Sequence, residues 1–198
     1  MYCSKPITIY QTLYIQNYLN LIKLLNLIDF LCVFCGIFMS LIIKTQANGI
    51  YQHETKALTK IREAFSVEDE MRKVSPWYGY AGYTLVDQIS KKEGEFDLIL
   101  VTNSVLIIVE LKDWNGKSIK TADGNWYMDD RDMGVSPVSL TRQKQFILMN
   151  KLKVLKNKFQ GNPGFVPRVH FYVVMCGKVN FSGLPDEDLN HVISLEKF

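Results

Sequence analysis

Asp97, Glu110 and Lys112 stand at the margins of two apolar runs in "EFDLILVTNSVLIIVELKDW", residues 95–114. A charge placed in such surroundings is costly unless it is paired or holds a metal. The runs are rich in β-branched residues and are separated by Asn103 and Ser104, the pattern of a β-hairpin. With a two-residue loop, Thr102 pairs with Val105 and Val101 with Leu106, and the count carries Asp97 opposite Glu110. Cross-strand partners have Cβ atoms about 4.5–5.5 Å apart, and side-chain alternation puts Lys112 on the Glu110 face. A three-residue loop would shift the register by one and separate the acids onto opposite faces.

Two carboxylates that close repel, so one tends to stay protonated unless a cation is shared between them. A hard divalent ion, Mg²⁺ or Mn²⁺, suits them, because Mg²⁺ takes one or two carboxylates and keeps several waters. Lys112 beside it would orient or help deprotonate an attacking water, or stabilise charge developing on a phosphate. The competing reading is a structural ion pair between Lys112 and either acid, which leaves the other acid unexplained. Spacing alone leaves both open.

The elements that must position these residues are legible in outline. "YQHETKALTKIREAF" places Ala57, Leu58, Ile61, Ala64 and Phe65 at helical spacing, with charges between them. "YTLVDQI" (83–89) reads as a strand, and "GYAG" (79–82) as a loop whose aromatics cover the core. The two apolar runs, uncharged on both faces, belong at the centre of a sheet. Turn signals at Asn115-Gly116 and Asp123-Gly124 bracket short polar strands. After Pro137 a long amphipathic helix follows, ended by Gly161, Pro163 and Gly164. "VHFYVVMCG" (169–177) is another buried strand and "HVISL" (191–195) a last one. The sum is an α/β fold, a mixed central sheet flanked by helices.

Asp97 followed by the acid-x-Lys triplet "ELK" resembles the PD-(D/E)xK nuclease core. The longer string "FDLILVTNSVLIIVELKDWNGKSI", then "GNWYM" and "SPVSLTRQKQ", is similar to the NERD (nuclease-related) domain through Asp97, Glu110, Lys112, Trp114, Gly116, Trp126 and Pro137 in order. The resemblance implies a restriction-endonuclease-like core and a metal-dependent phosphodiesterase acting on DNA. In it Asp97 and Glu110 are metal ligands and Lys112 the catalytic lysine. Glu54 is the first-helix acid completing the site, ahead of Glu63. Arg142, Gln143 or Lys144 corresponds to the polar helix position near the phosphate. A non-catalytic module that keeps the fold and binds nucleic acid or protein is the alternative.

Upstream, "LIDFLCVFCGIFMSLII" (27–43) has Asp29 as its sole charge and reads as a transmembrane helix. This divides the chain into an anchor region (1–44), a linker (45–50) and the nuclease-like domain (51–198). Lys44, Lys56, Lys60 and Arg62 follow the apolar segment, which places the domain in the cytoplasm. "CVFC" (32–35) has no second cysteine or histidine pair near it and reads as inert thiols. A net charge of +3 on 198 residues permits nucleic-acid binding without demanding it. "NGKS" (115–118) lacks the preceding glycine and the following helix of a phosphate-binding loop. His53, His170 and His191 have no ligand spacing. The basic residues Lys144, Lys151, Lys153, Lys156 and Lys158 read by default as a solvated helix face.

Overall fold

The computed structural model describes residues 41–46, 52–66, 78–102, 105–156 and 166–198, apart from the side chains of residues 52, 53 and 66. In chain order the elements are β1 (Ile42–Thr45), α1 (Gln52–Ser66), β2 (Tyr78–Val86), β3 (Glu93–Val101), β4 (Val105–Lys112), β5 (Ile119–Ala122), β6 (Asn125–Met128), β7 (Arg131–Val135), α2 (Pro137–Val154), β8 (Arg168–Met175), α3 (Asp186–Leu189) and β9 (Val192–Ser194). One sheet runs β1-β2-β3-β4-β8-β9, and β5-β6-β7 form a second, smaller one. β2, β3 and β4 pair antiparallel, while β1–β2, β4–β8 and β8–β9 pair parallel. The sheet is therefore mixed, with the two apolar runs as its central strands.

Each face of that sheet is covered by a helix. Ala57, Leu58 and Ile61 of α1 cluster with Leu98, Leu100, Val109, Leu111 and Val174. On the other face, Val138, Ile147, Leu148 and Leu152 of α2 cluster with Ile99, Val101, Leu106, Ile108 and Val173. Full burial of each such side chain contributes roughly 1.5–3 kcal/mol. α2 starts where it does because Ser136 caps it, its Oγ accepting from Ser139 N–H, with Pro137 just inside the first turn. The β5–β6 turn places Asp123 and Gly124 at positive φ (50° and 79°), as a tight hairpin with that sequence requires.

Alternation along β3 breaks at one residue. Leu98 and Leu100 face α1 while Ile99 and Val101 face α2, yet Phe96 packs on the α2 side as well. The change of phase falls at Asp97. The β2–β3 register passes from Ala81↔Leu98 to Tyr83↔Phe96 there, and Gly82 takes a φ of 70°. A side chain is disfavoured at that φ, which explains glycine.

Three expectations are corrected. Residues 78–82 are strand, since β2 already begins at Tyr78. Gly79 permits this by its size: a Cβ there would lie 3.0 Å from Ile43 and 3.1 Å from Leu98. The helix expected over 27–43 fails at its C-terminal end, because Ile42 and Ile43 pair with Tyr78 and Gly79 as an edge strand. The pair is β-branched, and Leu41 just before it is buried, so this end of the apolar segment is used by the sheet. Thr45, expected in the linker, closes the same strand. The remainder of the segment with "CVFC", the loop residues 103 and 104, residues 47–50, Lys158 and the stop signal at 161–164 lie outside the described residues. Among the described residues, no helix is long and apolar enough to cross a membrane. α3 was not foreseen.

Candidate active site

The site grows from the way the hairpin ends. Leu98↔Val109, Ile99↔Ile108, Leu100↔Ile107 and Val101↔Leu106 are paired, the register expected of a two-residue loop. Thr102 fastens the closed end: its N–H and its Oγ both donate to the Val105 carbonyl, and its Oγ accepts from Val105 N–H. At the other end the ladder stops at Leu98↔Val109, one pair short of the direct Asp97–Glu110 pairing expected from the sequence. There Asp97 continues the contact with its side chain, Oδ2 accepting from Leu111 N–H at 2.7 Å. A carboxylate thus takes the place of a ladder carbonyl, which pins it between β3 and β4.

Around it lies a cleft of about 470 Å³ lined by Glu54, Glu95, Asp97, Glu110, Leu111, Lys112, Asp113, Trp114 and Lys144. Glu54 reaches it from the first turn of α1 and is buried. Glu63, the other helix acid considered, is exposed and does not line the cleft. Glu110 is buried and both its oxygens are held: Lys112 Nζ lies 2.8 Å from Oε1 and Lys144 Nζ 2.5 Å from Oε2. Trp114 is fixed edge-on against buried Trp126, with ring centroids 6.1 Å apart. Trp126 in turn donates from Nε1 to Asp188. Behind Trp114, a Cβ on Gly177 would fall 2.1 Å from the Trp114 carbonyl oxygen, so the wall of the cleft admits only glycine there.

Electrostatics follow from this crowding. Burial pushes the Asp97 carboxyl up to about 6, and the charge of Glu110 adds to it; Lys144, the Leu111 N–H and Lys112 oppose the rise. Burial works to lower Lys112, yet the Glu110 charge and hydrogen bond, with Asp97 and Glu54 behind them, hold it above the ordinary lysine range. Lys112 is therefore an ammonium that stabilises negative charge.

The donor set suits a hard cation. It offers carboxylate oxygens without thiol or imidazole, and the raised Asp97 marks an acid pair that a shared cation would relieve. Among the described residues, no three His, Cys, Asp or Glu are gathered tightly enough to cage an ion unaided. Asp97 and Glu110 with water match what Mg²⁺ commonly accepts, and Glu54 lines the same cleft.

Of the three polar residues expected near phosphate, Lys144 alone turns into the cleft. Gln143 is exposed and borders a neighbouring depression, and Arg142 is exposed and borders neither. The pairing of Lys144 with Glu110 was missed, though a signal existed. Lys144 follows buried Thr141 by three and precedes buried Leu148 by four, so it lies on the inward stripe of α2. Glu95 and Asp113 were also missed; both are exposed cleft-edge acids with no patterned neighbour.

Other motifs resolve as structure. Asp129 fills the loop at 115–118, accepting from Lys117 N–H (2.8 Å) and Ser118 N–H (3.0 Å), the groups a phosphate would need. His191 stacks on Phe171 at 4.1 Å, and His170 is exposed. Burial pushes the Cys176 thiol up to about 11, so it is not a poised nucleophile.

No curated protein and no solved structure matches the chain. The sequence model of the nuclease-related domain (NERD) matches residues 59–176, which takes in β2 through β8 with the whole hairpin and α2. With more than half of its 198 residues matched, the chain belongs to the nuclease-related domain family.

Proposed function

We propose that the cleft hydrolyses phosphodiester bonds of DNA with Mg²⁺ or Mn²⁺ as cofactor. The observation that carries this is the crowding of Asp97 against Glu110 beside an ammonium, at the one point where the central hairpin opens. A structural ion pair would need one acid and would not raise the other. Asp97 and Glu110, with Glu54, are the groups that would hold the ion. When bound, the ion supplies Lewis-acid polarisation of the phosphate and a more acidic water. Lys112 offers its ammonium to the charge that develops on the phosphate oxygens. The Leu111 N–H bond keeps Asp97 aimed into the cleft, and Trp114 closes one wall.

The test is plasmid cleavage by the full chain in Mg²⁺ or Mn²⁺, beside Glu110→Ala and Lys112→Ala. Each substitution is expected to reduce the rate by roughly 10²–10³. Unchanged cleavage in both would remove the assigned site.

A second reading has its own support: both Glu110 oxygens are already neutralised by lysines, an arrangement complete without metal. In that case the chain binds nucleic acid or protein without turnover. It is favoured if no form cleaves while wild type binds DNA in chelator. We also infer membrane association through the apolar residues before β1, with the domain on the cytoplasmic, basic side. The chain should then pellet with membranes and resist a high-salt wash; release into the supernatant would remove this inference.

A further inference from the structure

Glu110 carries two lysines that are not equivalent. Lys112 is two residues away on the same strand and face, so the sheet itself holds it beside the carboxylate. Lys144 comes from α2, across the cleft, on a four-carbon stem. Its ion pair with Glu110 also forms the partition between the cleft and the adjoining depression, which Lys92, Leu140 and Gln143 border on the far side. That depression has a volume of about 320 Å³, room for the Lys144 ammonium to withdraw into. An ion shared by Asp97 and Glu110 would lie beside these two ammoniums, one on each Glu110 oxygen, and like charges so close repel.

We propose that Lys144 is a stand-in cation for the site, a positioning residue that holds Glu110 in place without metal. It swings off Oε2 into the neighbouring depression when a divalent ion binds. This rests on the metal reading of the cleft. It adds which of the two lysines gives way, and where it goes. The exchange replaces one positive charge beside Glu110 with two, and ionised Asp97 in the same cleft offsets the second. The depression is lined by Glu93 as well as Lys92, so the displaced ammonium has an acid to meet there.

Two measurements on the full chain test this. The first is amine acetylation of wild type with and without saturating Mn²⁺, read residue by residue by mass spectrometry. Mn²⁺ is expected to raise labelling of Lys144 severalfold and to leave Lys112 unchanged. The second is Mn²⁺ affinity by electron paramagnetic resonance for wild type and Lys144→Met, which keeps the stem's packing. The variant is expected to bind roughly tenfold more tightly, the effect of removing a competing ion pair. Loss of a nearby charge would tighten binding even without movement, so labelling decides between displacement and field. If Mn²⁺ binds but labelling of Lys144 does not rise, or Lys112 is unmasked instead, the exchange is overturned and the metal reading stands. Equal affinity in the two proteins overturns it likewise. If neither protein binds Mn²⁺, both ideas fall together. The labelling needs no variant, so it decides even where Lys144→Met folds poorly.

Discussion

Asp87, in the turn between β2 and β3, and Asp97, midway along β3, are the same side chain, and their surroundings pull them in opposite directions. Asp87 sits at the turn after β2, ringed by donors: Ser90 Oγ at 2.6 Å, Ile89 N–H at 3.0 Å and Asn150 Nδ2 at 3.0 Å. The Ser90 hydroxyl first, then Asn150 and the Ile89 amide, bring its carboxyl down to about 2. Asp97 has one backbone donor, and burial first, then the charge of Glu110, raise it to about 6. A carboxylate among donors ties a turn to a helix and is content. One buried beside another acid in a cleft keeps its proton more tightly.

Asp97→Asn breaks this contrast most sharply. The amide oxygen keeps the bond to Leu111 N–H, but the negative charge is gone, and plasmid cleavage is expected to fall by roughly 10²–10³. The same substitution should stabilise the metal-free protein at neutral pH. A rise from 3.8 to about 6 corresponds to destabilisation on the order of 3 kcal/mol by the ionised, buried carboxylate. Urea melts in chelator read this directly, and an Asn variant no more stable than wild type would refute the cost of burying this charge.

The pH dependence sharpens the comparison further. Folded Asp97 holds its proton more tightly than the unfolded chain does, so its contribution to stability falls as pH rises from about 4 to about 6. Asp87 has the opposite sign: its contribution is present above about 4 and is lost as pH drops toward 2. Asp97→Asn should flatten the first slope alone. Asp87→Asn, the smallest effect, should flatten the acid limb and lower Tm while leaving cleavage at the wild-type rate. A cleavage defect there would show that the two acids are not separate in function.

Much of this was legible because the hairpin is local. Two β-branched runs and a two-residue gap fixed a register that needed no distant information, and the register put Asp97 and Glu110 at one end. The helices were readable from the apolar period of Ala57, Leu58 and Ile61, and from Pro137 at the head of α2. What escaped depended on tertiary contact. Ile42 and Ile43 are as apolar as a membrane helix requires, and only the neighbouring Tyr78–Ala81 strand reveals them as a sheet edge. The phase change at Asp97 needs Gly82 opposite it, on another strand. The sequence offered Lys144 as one of three candidates near the phosphate and as part of a solvated face, and its pairing with Glu110 escaped because that partner lies far back along the chain.

The placement of Glu110's two lysines has a consequence for how the molecule assembles. The β3–β4 hairpin closes a short loop and can form early, whereas parallel pairing of β4 with β8 waits for the chain to travel through β5–β7 and α2. Lys112 belongs to the same strand as Glu110, two residues away. Lys144 belongs to α2, thirty-four residues further along the chain. Glu110 therefore has one cation on its own strand, whereas its second cation and the cover over its face of the sheet both come with α2.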